Sequence, residues 1–359
     1  EIDTQEVPST QDQVDLNVNV VEKPTGMLTL GAGFSSAEKV TFTFGIQQDN
    51  VFGSGQNLGL QVSTSKFNQY YVINTTDPYF TEDGVSRTFE YYHRSSRPYV
   101  EQGGDYRLVT SGTGIRFGVP FSELDRIFVG ASLEQTQIVP GTNLPDSYLK
   151  YAYQFGYTTH TVPLTVGWAR DSRDSYLNPT NGKFIRLNSE TGLAGDTRYA
   201  KLGAQYQQYF PLSKQYTFAF NADFGLGKGL QGQPFPVFKN YYSGGLGSVR
   251  GFEQGTLGHR DPSGIVSGGA KKVTLNSEFL LPFPGAGNDR SLRLYGFYDM
   301  GNVFGEYDKI QLSELRSSYG VGLSWVSPMG PLRFAWARPA RSFTGDRIQR
   351  LQFQIGTSF

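Results

Sequence analysis

The stretch from Leu351 to Phe359 alternates between apolar and polar residues in strict steps of two. Successive side chains of a β-strand point to opposite faces, so this pattern predicts a strand with one apolar face. In a transmembrane β-barrel the outer face of each strand meets lipid and the inner face meets water, and this strand suits such a wall. The residues on the predicted outer face are Leu351, Phe353, Ile355, Thr357 and Phe359.

Runs with the same period of two recur along the chain between turn signals. Sixteen can be counted, starting near residues 25, 39, 56, 69, 84, 107, 125, 157, 182, 198, 213, 270, 291, 317, 331 and 349. The sequence therefore predicts an all-β fold, a 16-stranded antiparallel transmembrane β-barrel, and an even strand number is usual for closed bacterial barrels. A soluble propeller or sandwich is the alternative, but those folds show regular repeats or shorter spacings.

The connections between these runs differ in length. Those at 211–214 and 327–330 are short, whereas those at 140–156, 230–269 and 302–316 are long. Short periplasmic turns and long outer loops are typical of bacterial outer-membrane barrels. This pattern predicts an integral outer-membrane protein with both termini in the periplasm.

The first residues differ from the rest of the chain. Residues 1–24 contain no aromatic side chain, and Val14, Leu16 and Val18 alternate there with polar residues. We expect this segment to be the end of a small periplasmic domain and residues 25–359 to be the barrel. Because the chain opens in polar sequence with no signal peptide, we expect a mature or truncated product.

Composition supports this interpretation. The chain has 44 Gly, 22 Tyr and 27 Phe among 359 residues, with 18% charged residues, which favours strands and turns over helices. The net charge of zero gives no reason to expect a nucleic-acid partner. The absence of Cys excludes disulfides and cysteine-based metal sites, and no cofactor or metal is expected.

The long connection at 230–269 has too few apolar residues for a core of its own and carries the glycine-rich run Gly244–Phe252. Alternation places Glu278 and Asp299 on the lumen face of two adjacent strands. We therefore expect this loop to fold into the barrel lumen, where Arg250 pairs with both carboxylates. The alternative is that the two carboxylates are solvated residues of a wide pore.

The predicted strand that starts near residue 317, which follows the strand of Asp299, strengthens that expectation. Its predicted lumen face carries only Gly and Ser, at Ser318, Gly320, Gly322 and Ser324. Four small side chains in a row leave room inside the barrel, and we expect the loop to use it.

Several short motifs resemble those of BamA-type barrels, a family of the outer-membrane protein assembly superfamily that also includes TamA and the two-partner-secretion transporters. The resemblance spans essentially the whole chain. The motifs are Gln47–Asn50 (QQDN), Asp77–Phe80 (DPYF), Arg173–Gly182 (RDSYLNPTNG), Val249-Arg250-Gly251-Phe252 (VRGF), Asp299–Gly301 (DMG), Ser327–Pro331 (SPMGP) and the closing LQFQIGTSF. The resemblance implies that residues 1–24 end the fifth POTRA domain. It also implies folding and insertion of unfolded outer-membrane protein clients, alongside assembly-complex lipoproteins.

A barrel of this kind would open where its ladder of hydrogen bonds is weakest, and we expect that seam to lie between the first and last strands. Glycine weakens strand interiors and permits kinks, and a partly unpaired edge can add a client strand. A short apolar band there is also expected to thin the surrounding outer-membrane lipid. The residues expected at the seam are Leu28, Leu30, Gly31 and Gly33 in the first strand and Phe353, Ile355, Gly356 and Phe359 in the last.

Two other classes of function are alternatives for this sequence. Only three histidines exist, His93, His160 and His259, and none lies in a spacing that supports a Ser–His–Asp site, so no enzymatic activity is expected. A translocation pore related to TamA or to the two-partner-secretion transporters is the other alternative. It predicts stable ion conductance and a lumen that opens when the 230–269 loop is removed.

Overall fold

The computed structural model describes residues 2–6, 14–18, 21, 24–97, 106–258, 260, 264–285, 291–327 and 330–356. Within these residues sixteen strands close into one antiparallel barrel, which confirms the predicted fold class. Every barrel strand begins within four residues of its predicted start. The barrel strands are β3 (Gly26–Ser35), β4 (Lys39–Gln48), β5 (Asn57–Ser65), β6 (Asn68–Asp77), β7 (Ser86–Ser96), β8 (Arg107–Pro120), β9 (Asp125–Val139), β10 (Thr158–Asp171), β11 (Gly182–Gly195), β12 (Tyr199–Pro211), β13 (Thr217–Gly229), β15 (Lys271–Pro282), β16 (Leu292–Phe304), β17 (Arg316–Ser327), β18 (Gly330–Arg341) and β20 (Leu351–Gly356).

Four further strands lie outside the barrel wall. The pair β1 (Ile2–Glu6) and β2 (Val14–Val18) is antiparallel and precedes the barrel. The pair β14 (Gly251–Phe252) and β19 (Ile348–Gln349) joins the long loop to the segment just before β20. The assignment of residues 1–24 to a separate domain stays a prediction.

The period-two pattern becomes two chemically different faces of the wall. In β4, Phe42 and Ile46 are exposed on the outside, whereas the neighbouring Thr41 is buried on the inside. The same alternation exposes Leu28 and Leu30 in β3. Since lipid would cover these outward side chains, their exposure is what a membrane-facing wall requires.

The long connections at 140–157, 230–270 and 305–315 all lie at one end of the barrel, but the turns of two or three residues after β3, β5 and β11 lie at that end too. The predicted alternation of short turns and long loops therefore holds only in part. One long connection also contains an element that strand periodicity did not predict. The 140–157 connection contains a helix, α1 (Asp146–Phe155). Its buried Tyr148, Tyr151 and Ala152, with Phe155, recur at the spacing of one helix face. Among the described residues, no helix has the length and apolar character needed to cross a membrane.

The buried apolar side chains lie mainly inside the barrel and under its long loops. The segment between β13 and β15 returns into the lumen and contains a 3-10 turn (Val237–Lys239) and β14. One buried cluster combines Val249, Phe252 and Leu257 of this segment. A second joins α1 to the wall through Tyr106, Ile138, Tyr148 and Tyr151, with Val237 and Phe238 against it. The 230–269 connection, named here the lumenal loop, is thus held by packing as well as by polar contacts.

Candidate functional site

The Val249–Phe252 motif of the lumenal loop lies inside the barrel against β16, β17 and β18. Val249, Arg250 and Phe252 are at most 1% exposed. Gly251 has a φ of 86°, and a β-carbon there would approach the side chain of Ala337 to 3.0 Å. Both the backbone angle and the close approach to the wall therefore favour glycine at this position.

The Arg250 guanidinium lies between the two carboxylates that strand periodicity placed in the lumen. Its Nε donates to Asp299 Oδ2 at 2.7 Å, and Nη2 donates to Asp299 Oδ1 at 2.6 Å. Its Nη1 donates to Glu278 Oε1 at 2.5 Å. The structure thus brings together Arg250, Glu278 and Asp299, in a bidentate pair extended by a second carboxylate.

Two further polar residues belong to this centre. Arg333 of β18 donates from Nη2 to the same Glu278 oxygen at 2.5 Å. Asn276 of β15 donates to Asp299 Oδ1 at 2.8 Å and to the Ser248 carbonyl at 2.6 Å. Two guanidinium groups and two carboxylates balance in charge, which buried ions require. The alternation of apolar and polar residues in β18 predicts that Arg333 points inward, but the sequence does not predict its distance to Glu278.

Aromatic rings fill the space that the small residues of β17 leave open. Phe297 pairs across the sheet with Gly320, and Tyr295 pairs with Gly322. The Arg250 guanidinium carbon lies 3.7 Å from the Phe297 ring centre, a cation–π contact. The room above these two glycines is therefore taken by rings of β16 on which Arg250 rests, while the loop itself approaches Ser318.

The lumenal loop also contacts the last strand, through a glutamine on the inner face of that strand. Gln352 of β20 is 1% exposed. Its amide donates to the Phe252 carbonyl at 2.6 Å, and its Oε1 accepts the Gly251 N–H at 3.2 Å. The loop motif is consequently bonded to β20, one of the two strands at the barrel closure.

The closure between β20 and β3 is short. Within the described residues only three pairs join the two strands, Gln354 to Ser35, Ile355 to Phe34 and Gly356 to Gly33. Ten pairs join β3 to β4. The Phe353 carbonyl accepts the Ser36 N–H at 2.9 Å, and the Phe34 and Phe353 rings lie 5.4 Å apart on the outside.

The residues expected at the seam fall into three groups. Gly33, Phe353, Ile355 and Gly356 lie at the closure itself. Leu28, Leu30 and Gly31 lie in the part of β3 that pairs with β4 and, among the described residues, with no strand on the other side. Phe359 is outside the described residues, as is part of the Ser327–Pro331 turn.

Gly356 marks the point where β20 leaves regular strand geometry. Its φ is 77°, and a β-carbon there would lie 2.5 Å from the Ala32 carbonyl oxygen. Glycine adopts this conformation readily, whereas other residues are strained in it. The last described pair of the seam therefore depends on a glycine.

A turn at the barrel end opposite the 230–269 connection reaches the same sector of the wall. The turn between β10 and β11 spans residues 172–181 and crosses towards β16, where Arg293 donates to the carbonyls of Asn178 and Pro179 at 3.1 and 3.2 Å. Arg173 forms a bidentate pair with Asp171 at 2.9 and 2.7 Å at the base of this turn. This is the segment whose sequence resembles a motif widespread in the superfamily.

The described histidines have separate partners. His93 Nδ1 lies 2.8 Å from the Ser111 hydroxyl, and His160 Nδ1 lies 3.5 Å from Asp196 on a different part of the wall. His259 lies outside the described residues. The contacts of the two described rings do not form a Ser–His–Asp relay.

Comparison with known proteins identifies the family. Residues 50–359 match the Omp85 superfamily domain. The outer membrane protein assembly factor BamA of Neisseria meningitidis is 36% identical to this chain over all of its length, and the chain covers 50% of that protein. BamA of Nitratidesulfovibrio vulgaris is 30% identical, again over the whole chain and 45% of that protein. The chain thus spans about half the length of these relatives.

A solved structure has the same barrel. The crystal structure of BamA from Haemophilus ducreyi lacking POTRA domains 1–3 superposes with a TM-score of 0.91 at 26% sequence identity. The match covers 100% of this chain and 75% of that one. The fold and the family assignment therefore agree.

Proposed function

The chain belongs to the Omp85 superfamily, and on that premise we propose that it folds and inserts β-barrel proteins into the outer membrane. The proposed step is strand templating at the seam between β3 and β20. No covalent bond is made or broken in it. The observation that carries this proposal is that three pairs close the barrel between β20 and β3 within the described residues, beside a ten-pair ladder between β3 and β4.

The physical reason is the high free energy of an unpaired strand edge in lipid. Each backbone N–H or C=O left without a partner in hydrocarbon costs several kcal/mol, and this cost favours capture of another strand. The edge of β3 from Gly26 to Ala32 pairs with no strand of the described wall on its seam side. An incoming client strand would satisfy these groups by β-augmentation, and later strands would add to it as hairpins.

The outward side chains of β3 suit a strand that meets lipid and a client together. Leu28 is 63% exposed and Leu30 is 74% exposed. A short apolar band at this edge supports the further proposal that the outer-membrane lipid is thinned beside the seam, because mismatch is relieved by local distortion.

The partners proposed are unfolded outer-membrane protein clients, assembly-complex lipoproteins and outer-membrane lipid. The support is the likeness to proteins named as outer membrane protein assembly factors. We also propose that residues 1–24 end a periplasmic POTRA domain and that both termini lie in the periplasm. The three longest connections, at 140–157, 230–270 and 305–315, lie at the barrel end opposite the start of β3 and the end of β20, which supports this orientation.

A disulfide across the seam tests the proposal. Ser35 and Gln354 are direct partners, and antiparallel partners lie within the Cα separation that a disulfide spans. Because the chain contains no native cysteine, the S35C/Q354C pair can be introduced cleanly. The matched control is T64C/Q69C, a partner pair between β5 and β6.

The assay follows folding of an unfolded client barrel into vesicles that contain the purified chain. We expect oxidised S35C/Q354C to lose acceleration of client folding and to regain it on reduction, while oxidised T64C/Q69C retains it. Full acceleration by the oxidised seam variant would refute templating at this seam. Stable ion conductance in the same vesicles, without client folding, would favour the translocation pore instead.

A further inference from the structure

We propose that Lys239 is a second anchor of the lumenal loop, a positioning residue that fixes the loop to the β9–β12 wall and seals that part of the lumen. This inference concerns the position of the loop and goes beyond the proposed insertion of client proteins. It rests on a cluster of buried charged side chains that lies apart from the Arg250 centre.

Lys239 ends the 3-10 turn of the lumenal loop, and its side chain is 14% exposed. The ammonium group lies 2.8 Å from Glu134 Oε1 of β9 and 2.9 Å from Glu190 Oε1 of β11. These two strands are not neighbours, because β10 lies between them. One loop residue therefore bridges two separate strands of the wall.

Each carboxylate has a second partner that fixes its orientation. Tyr92 of β7 donates its hydroxyl to Glu134 at 2.9 Å, and Tyr199 of β12 donates to Glu190 at 2.5 Å. Both rings lie against glycines of the wall, since β-carbons at Gly112 and Gly192 would meet them at 2.5 and 2.7 Å. The carboxylates are thus held in place from the wall side, independently of the loop.

The loop backbone is fixed at the same point. Lys201 of β12 donates from Nζ to the Lys239 carbonyl at 2.8 Å. Two residues on, the Tyr241 hydroxyl donates to the Leu202 carbonyl at 2.6 Å, and Lys201 lies 4.4 Å from the Tyr241 ring centre. Two lysines and two glutamates balance in charge here, as the two arginines and two carboxylates do around Arg250.

The two anchors hold different parts of the barrel. Arg250 is bound by residues of β15 and β16, with Arg333 of β18 bonded to the same Glu278, whereas Lys239 is bound by residues of β9, β11 and β12. If only one anchor were present, the rest of the loop could swing about it. With both, the loop is fixed across the lumen between the two sectors.

Lys239 also bounds a cavity of about 900 Å³ in the lumen. The cavity runs along β11 from Phe184, near the 172–181 turn, to Glu190, and Phe238, Lys239 and Asn240 line its far end. That end faces the long-loop side of the barrel. The loop therefore closes the cavity on that side, and Lys239 is the charged residue that holds the closure.

Accessibility of the cavity from the long-loop side tests the proposal. Asn188 faces the cavity one inward position from Glu190, and N188C would be a single cysteine in the chain. The probe is a polymer-linked maleimide too large to pass general porins, applied to the outside of cells. Its rate of reaction with N188C reports how often the loop leaves its place.

We expect K239M to raise this labelling rate by about tenfold or more, since loss of the tie shifts the loop population towards open states. K272M is the matched control, because Lys272 is also a lumenal lysine but, within the described residues, its ion pair is with Asp223 of the neighbouring strand, at 2.5 Å. The control should label at the rate of N188C alone. Equal labelling in K239M and K272M would overturn the proposal.

A neutral variant separates loss of the tie from loss of the fold. K239M leaves two carboxylates without their cation, and the E134Q/E190Q/K239M variant removes all three charges together. Heat-dependent gel migration identifies folded protein in each case. We expect the folded triple variant to label as fast as K239M, because the tie is still absent. A folded triple variant that labels as slowly as N188C alone would refute the anchor.

Neither the labelling rate nor the gel migration depends on client folding, so this inference and the proposed function can fail separately.

Discussion

Arg250 and Asp299 share three hydrogen bonds, two through the guanidinium group at 2.7 and 2.6 Å and one through the Arg250 backbone N–H at 3.0 Å. A single carboxylate thus fixes both the side chain and the main chain of the loop motif. Asp299 is 0% exposed and Arg250 is 1% exposed, so water cannot replace either partner.

Removal of Asp299 should therefore be costly. We expect D299A to lower the free energy of unfolding by about 3–5 kcal/mol, because it removes one of the two carboxylates that pair with the buried guanidinium and leaves its Nε and Nη2 donors without their acceptor. Denaturant titration in lipid vesicles measures the change. D223N is the control, since the Asp223 side chain is 36% exposed in its pair with Lys272, and its loss should cost less than about 1 kcal/mol. Similar losses in the two variants would show that the centre contributes little.

The Tyr295 ring requires a glycine at the cross-strand position in β17, which is Gly322. A β-carbon at Gly322 would overlap the Tyr295 ring and the Phe334 carbonyl. We expect G322A to cost about 1–3 kcal/mol in the free energy of unfolding by overpacking. G296A is matched, because a β-carbon at Gly296 meets nothing within 4 Å. Thermal unfolding should show a clear decrease for the first variant and almost none for the second, and the reverse order would contradict this packing.

The 172–181 turn should loosen when Arg293 is removed. Hydrogen bonds to a charged group contribute about 1.5–3 kcal/mol each, and about 1.4 kcal/mol is a tenfold change in an equilibrium. Chymotrypsin cleavage after Tyr176, which is 80% exposed, should accelerate by about tenfold or more in R293M. R338M removes an exposed arginine of β18 and should leave the rate unchanged. Equal rates in both variants would mean that Arg293 does not hold the turn.

The same turn should respond to acid through Asp174. Burial raises the pKa of this carboxyl. The hydrogen bonds that it accepts from the Thr180 hydroxyl and from the N–H groups of Thr180 and Asn181 lower the pKa by more than burial raises it, so the pKa lies below its ordinary value. A depressed pKa in the folded state means that the stabilisation is present above the ordinary aspartate pKa of about 3.9. It is lost as the pH falls through the lower folded value.

Amide hydrogen exchange checks this expectation. Protection of the Thr180 and Asn181 amides should be intact at neutral pH and should decrease below about pH 3.9. In D174A the protection should be low at every pH and its acid transition absent. An acid transition that persists in D174A would assign the effect to another group.

Strand periodicity was informative because it repeats sixteen times. It placed Glu278 and Asp299 inside, and it identified the Gly and Ser face of β17. It did not predict that Tyr295 and Phe297 occupy that space, since cross-strand pairing depends on register. It also treated 140–156 as a plain loop, although the spacing of Tyr148, Tyr151 and Phe155 was a helix signal.

The sequence by itself determined the fold class, the strand positions and the face of each side chain, because a period of two follows from strand geometry alone. Only the tertiary structure decided which inward residues meet. The joining of Arg333 to Glu278, of Lys239 to two strands and of Gln352 to the loop depends on strand stagger and barrel closure. Stagger is a property of the closed sheet as a whole, and no local pattern encodes it.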